Sequence, residues 1–97
     1  MGNKRFFLRF NSEAKTDVRN AMAYYLARSQ AAAKKFRIEL YKSYGFLELN
    51  ADLFAVDEKG YRSISIHGFP YRAYYRLDGT NVFIVGLLHE RQNRSFG

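Results

Sequence analysis

The sequence predicts an α+β fold in the order β-α-α-β-β-β: a twisted antiparallel sheet with a helical hairpin packed on one face. Three observations carry this. Apolar and polar residues alternate with a period of two at Lys4–Phe10, Tyr61–His67 and Tyr71–Leu77, and Val82–Leu88 is apolar throughout. Between the first two of these runs, apolar residues recur three and four apart from Ala14 to Leu47, which is the helical period. A chain of 97 residues holds one hydrophobic core, so residues 1–97 are expected to form a single domain.

Each element follows from local chemistry. In Lys4–Phe10, Phe6, Leu8 and Phe10 share one face and Arg5, Phe7 and Arg9 the other. Asn11 and Ser12 stop the strand. Either can cap a helix, with Glu13 and Asp17 favourable in its first turns. The first helix runs to about Ser29, with Ala14, Val18, Ala21, Met22, Tyr25 and Leu26 expected on one buried face. A second follows, with Ala33, Phe36, Leu40, Tyr44 and Leu47 on one face. Gly45 costs it up to about 1 kcal/mol relative to alanine, so the helix is expected to fray or end there. Asn50–Gly60 is the net-acidic stretch and reads as a loop with a short strand at Leu53–Val56. Tyr61–His67 places Arg62, Ile64 and Ile66 on one side. Gly68-Phe69-Pro70 turns the chain. Tyr71–Leu77 then sends Tyr71, Ala73, Tyr75 and Leu77 one way and Arg72, Tyr74 and Arg76 the other. Asp78-Gly79 is a hairpin signal. Val82–Leu88, apolar on both faces, marks a central strand.

Composition narrows the function classes. The absence of cysteine removes a disulfide scaffold, a thiolate zinc site and a thiol nucleophile. With His67 and His89 as the two histidines, no metal centre and no cofactor are expected. No apolar run approaches the roughly 18 residues of a membrane span, and no signal-peptide core is present, so a soluble cytoplasmic protein without membrane contact is expected. A net charge of +7, from 16 basic against 9 acidic residues, favours an anionic partner: nucleic acid, a ribosome or an acidic protein segment.

Two features bear on partners. Helices cover one sheet face only, yet Val82, Ile84 and Leu88 alternate with Phe83, Val85 and Leu87, so both faces carry apolar groups. Either the N-terminal strand, the acidic loop or the C-terminal tail closes the second face, or a partner chain lies across Val82, Ile84 and Leu88. Arg72, Tyr74 and Arg76 form a basic-aromatic ladder, with Arg62 on a neighbouring strand and Arg91 and Arg94 beyond the last. Guanidinium groups bind phosphates and rings stack on bases, but Arg and Tyr are also ordinary on a solvated sheet face. His89 could act as a general acid or base beside these arginines, or simply end a strand bonded to backbone. No phosphate loop, nucleophile elbow or carboxylate pair is present.

The C-terminal half has a more specific pattern. Gly60-Tyr61-Arg62, then Gly68-Phe69-Pro70-Tyr71-Arg72-Ala73-Tyr74-Tyr75-Arg76, then Val82 through His89-Glu90-Arg91 resembles the ParE/RelE superfamily of toxins from bacterial type II toxin–antitoxin systems, often called plasmid stabilisation proteins. The resemblance covers roughly residues 5–94, and Tyr25, Ser29, Ala32 or Ala33, and Phe36 fit the looser helix pattern. Two departures stand out. Ala51 follows Asn50 where the family usually has Pro, and Arg94 stands about where a Pro is common. No Tyr follows Tyr75, so the C-terminal Tyr of many RelE-type nucleases is missing and the pattern looks ParE-like.

The resemblance implies a growth-inhibiting toxin that blocks DNA gyrase by binding, not by catalysis, neutralised by a cognate antitoxin in a hetero-oligomer. Arg91, Arg94, Arg76 and Tyr74 are then the expected target-binding residues. The alternative is a RelE-like endonuclease cutting mRNA on the ribosome, with His89, Arg62, Arg72 and Arg76 as its catalytic set. A non-toxic nucleic-acid-binding relative is the third reading.

Overall fold

The computed structural model describes residues 4–92 and Phe96. The elements are β1 (Phe7–Phe10), α1 (Ser12–Arg28), α2 (Gln30–Asn50), β2 (Arg62–Ser65), β3 (Tyr71–Asp78) and β4 (Asn81–His89). This is the expected α+β order. The sheet runs β1-β4-β3-β2, with the helical hairpin on one face.

The hairpin turns on one residue. Asn11 caps α1, its side chain accepting from the Ala14 N–H at 2.7 Å. Ser29 serves both helices: its N–H donates to the Tyr25 carbonyl, and its hydroxyl accepts from the Ala32 N–H at 2.9 Å. An extended φ of −166° at Ser29 breaks the helical path and sends α2 back along α1. Gly45 does not end α2. The helix continues five residues further, to Asn50, because Leu47 and Ala51 are fully buried beyond it. Burying one leucine contributes about 2 kcal/mol, which outweighs the glycine's cost.

The sheet is mixed, which corrects the expectation of an antiparallel one. β1 pairs with β4 in parallel, Leu8 opposite Val82 and Phe10 opposite Ile84; the other two pairings are antiparallel. The cause is where α2 ends. It delivers the chain to the end of the sheet where β1 begins, the Phe6 N–H donating to the Glu48 carbonyl at 2.8 Å. β2 starts at that same end, since Arg62 reaches the carbonyls of Asp52 and Phe54. β2 therefore runs with β1, β3 against it and β4 with it.

No strand forms at Leu53–Val56. The Phe54 carbonyl accepts from the Arg62 guanidinium at 2.6 Å, not from a ladder, and Leu53 and Val56 are exposed. Asp57 closes the loop, its Oδ1 accepting from the Lys59 and Tyr61 N–H groups.

Phe6, Phe36, Leu40, Leu47, Ile64, Ile66 and Ile84 lie in the core between helices and sheet. Tyr75, also fully buried, donates its hydroxyl to the Ala51 carbonyl at 2.6 Å and ties β3 to the end of α2. Burial pushes this hydroxyl from the ordinary 10.0 up to about 12, against the lowering pull of Arg62. Burial likewise raises Tyr25, Tyr44 and Tyr71. The folded chain thus holds these protons more tightly than the unfolded one. Their contribution is fully present below about pH 10 and is lost as pH rises through the folded values. Urea unfolding at about pH 8 and about pH 11 should show a clearly lower midpoint at the higher pH. Equal midpoints would show that these hydroxyls do not couple to folding.

Candidate functional site

The face of the sheet away from the helices is the candidate surface. The alternation in β3 holds: Ala73 and Tyr75 are buried toward the helices, and Arg72, Tyr74 and Arg76 occupy the other face. Directly opposed residues share a face. Arg76 therefore lies beside Phe83 of β4, and Phe83 beside Arg9 of β1. Phe83 is 39% and Phe7 54% exposed. The Arg9 Nε donates to the Asn81 side chain at 3.1 Å, and the Arg72 Nε to the Ser63 hydroxyl at 3.0 Å. Arg76 is exposed, so its head is open to a partner.

A bulge in β4 decides what faces where. Tyr75 opposes Ile84 but Tyr74 opposes Gly86, so Val85 is an extra residue. Before the bulge, Val82 and Ile84 point into the core; after it, Leu87 does. This corrects the reading of Val82, Ile84 and Leu88 as a surface for an antitoxin. Val82 and Ile84 are fully buried under the helices. Leu88, opposite Arg72, is buried on the other face, in a cleft it shares with Tyr61, Tyr74, Gln92 and Phe96.

Phe96 fills part of that cleft. Its ring lies 5.1 Å from that of Tyr61 and 5.5 Å from that of Tyr74. Gly86 makes room for it: a Cβ there would stand 2.9 Å from Phe96 Cε1 and 3.3 Å from Asp17 Oδ2. Phe96 is thus seated on the open face. Between β4 and the tail is a tight turn in which the His89 N–H donates to the Gln92 side chain and the Arg91 N–H to His89 Nδ1. Arg91 projects exposed from this turn. Arg94 lies outside the described residues. Where β1 stops pairing, α1 guards the rest of the β4 edge, Asp17 Oδ2 accepting the Leu87 N–H at 2.9 Å.

The nuclease set is divided by the sheet. Arg72 and Arg76 are on the open face. Arg62 opposes Tyr75, on the helix side, and is spent on the Asp52 and Phe54 carbonyls. His89 opposes Tyr71, also on the helix side, with the two rings 5.3 Å apart edge to face. The bulge is what puts His89 there. A general acid or base must reach the proton it moves within hydrogen-bond distance, and His89 stands across the sheet from the arginines that would bind a phosphate. Among the described residues, no group of three His, Asp or Glu side chains could hold a metal ion. Sequence reasoning missed Phe7, Arg9 and Phe83 as members of the open face. The period-two signal for each was present, but it does not say which strand lies next to which.

A family model described as the ParE toxin of type II toxin-antitoxin system, parDE, matches residues 8–94. The chain belongs to the ParE toxin family. A solved structure described as the chromosomal ParDE TA system from P. aeruginosa shares the fold, with a TM-score of 0.76, 19% identity, and coverage of 89% of this chain and 97% of that one. No curated protein matches the sequence. Within the ParE-family chain, the match runs from Leu8 of β1 to residue 94 and so includes β2, β3, β4 and the rings of Tyr61 and Tyr74 that seat Phe96, but not Phe7 or Phe96.

Proposed function

We propose that this ParE-family chain is a toxin that inhibits DNA gyrase by binding it, acts in the cytoplasm, and is held inactive by a cognate antitoxin. The observation that carries the binding reading is the division of the nuclease candidates: His89 and Arg62 on one side of the sheet, Arg72 and Arg76 on the other. What the open face offers is an inhibitor's chemistry. Exposed rings beside guanidinium groups are the residue types that dominate protein–protein interfaces. Arg76 and Tyr74 lie on this face, Arg91 stands exposed in the turn after β4, and the Phe96 ring is seated beside Tyr74. No helix among the described residues is long and apolar enough to cross a membrane, in keeping with action in the cytoplasm.

Two assays run side by side test this. Gyrase supercoiling should fall as the protein is added, and mRNA in a translating extract should stay intact. In cells lacking antitoxin, His89→Ala should remain toxic and the Arg91→Ala/Arg94→Ala double variant should not. A folded His89→Ala protein that has lost toxicity, together with mRNA cleavage by the wild type, would establish the RelE-like nuclease instead. Steep salt-dependent binding to naked nucleic acid, with neither activity, would favour the non-toxic relative.

A further inference from the structure

We propose that the open face carries an anchor pocket at the bulge of β4, and that this pocket takes an apolar side chain of gyrase presented beside carboxylates. This deepens the gyrase reading and rests on it.

The pairing register leaves a gap at Val85. On the β3 side, Tyr75 opposes Ile84 and Tyr74 opposes Gly86, so no β3 residue stands opposite Val85. On the β1 side, pairing stops with Phe10 opposite Ile84. Val85 therefore has a cross-strand neighbour on neither side. The result is an open pocket of about 370 Å³, lined by Asn11, Arg76, Asp78, Phe83 and Val85. Its floor is apolar, made by the exposed Phe83 ring and the half-buried Val85. A bulge is a common way to re-aim a side chain toward a binding site.

The walls are fixed before any partner arrives. Asn11 is held at both ends, its N–H donating to the Ile84 carbonyl and its side chain accepting from the Ala14 N–H. Arg76 and Asp78 stand on the paired part of β3, opposite Phe83 and Asn81. A preformed pocket of this kind loses little freedom on filling, which suits a single anchor residue.

Charge selects the occupant. Arg76 and Arg9 flank Phe83 from its two neighbouring strands, which puts their Cα atoms about 10 Å apart with the ring between them. The Asn81 side chain holds the Arg9 Nε and keeps that guanidinium in the row. An apolar residue with Asp or Glu near it in the chain seats its side chain on Phe83 and Val85 and its carboxylates on the guanidiniums, which grip carboxylates in paired hydrogen bonds. Asp78 excludes the other polyanion. At the wall of the pocket it repels a phosphate, whereas a protein segment offers it a backbone N–H. A second copy brings the same arginines and is repelled.

The test is titration of DNA-free gyrase with wild type, Phe83→Ala, Arg9→Glu and Val85→Trp, each shown by thermal unfolding to be folded at the assay temperature. Each variant should weaken binding by about tenfold or more. Val85→Trp is the sharpest of them, because it adds apolar surface and weakens binding only if the pocket must be filled from outside. Asp78→Asn should bind naked duplex DNA several-fold more tightly than wild type at low salt. If wild type binds gyrase and Phe83→Ala and Val85→Trp bind as tightly, the pocket is not the seat and the gyrase reading stands. If wild type neither binds nor inhibits gyrase, that reading fails and the proposal with it. Variants that lose affinity for naked DNA but keep it for DNA-free gyrase would make nucleic acid the occupant and overturn the proposal.

Discussion

Replacing Phe36 by alanine is expected to cost about 3–5 kcal/mol of stability, a large share of the roughly 5–15 kcal/mol that holds a domain of this kind together. Phe36 is fully buried where α2 meets the sheet. Its ring lies 5.0 Å from Tyr25 of α1, 5.0 Å from Phe69 in the turn before β3, and 5.5 Å from Tyr71 of β3. The cluster therefore joins both helices to the strand turn, and removing its centre leaves a cavity bounded by rigid rings that collapse poorly. Phe36→Leu should retain most of the stability, because it refills most of the volume. Urea titrations of the three proteins read this directly. A loss below about 1.5 kcal/mol for the alanine variant would mean that the surroundings close over the gap.

Gly86→Val should have the largest effect on toxicity of any substitution distant from the arginines. A side chain at this position drives into the Phe96 ring, whose Cε1 would be 2.9 Å from the new Cβ, and presses on the Asp17 carboxylate. The ring contacts with Tyr61 and Tyr74 contribute about 0.5–1.5 kcal/mol each, so losing both shifts the seating equilibrium of Phe96 by about fivefold to a hundredfold. Phe96→Ala separates the two consequences. It unseats the tail while leaving the Asp17 bond to the Leu87 N–H in place. If the tail must be held against the open face for target binding, both variants lose toxicity while Phe96→Ala keeps its thermal midpoint. Full toxicity in a folded Phe96→Ala protein would remove the seated tail from the mechanism.

The candidate site was only partly legible in the sequence. The ladder of Arg72, Tyr74 and Arg76 could be read directly, because alternation within one strand is a local property. The grouping of His89 and Arg62 with that ladder could not. Arg62 belongs to a strand whose phase against β3 is set by hydrogen bonds between distant residues, and those put it opposite Tyr75. His89 lies beyond a bulge at Val85, and one inserted residue reverses the facing of everything after it. The same reversal put Leu87 in the core and took Leu88 out of it.

By itself, then, the sequence determined the type and order of the six elements, since each rests on the spacing of neighbours along the chain, while the short apolar run at Leu53–Val56 misled as a strand. It also determined part of the punctuation: a cap for α1 at Asn11 or Ser12, a break near Ser29, and Asp78-Gly79 as the two-strand turn, where Gly79 takes a positive φ of 59°. Only the tertiary structure decided that β1 runs parallel to β4, that α2 passes through Gly45, and which side of the sheet each strand shows to solvent. These depend on contacts between segments far apart in sequence: the Phe6 bond to Glu48, the burial of Leu47, the bulge at Val85. A local pattern fixes the relation of a residue to its neighbours in a strand or helix; the relation of one strand to the next is settled by the hydrogen bonds and packing between them.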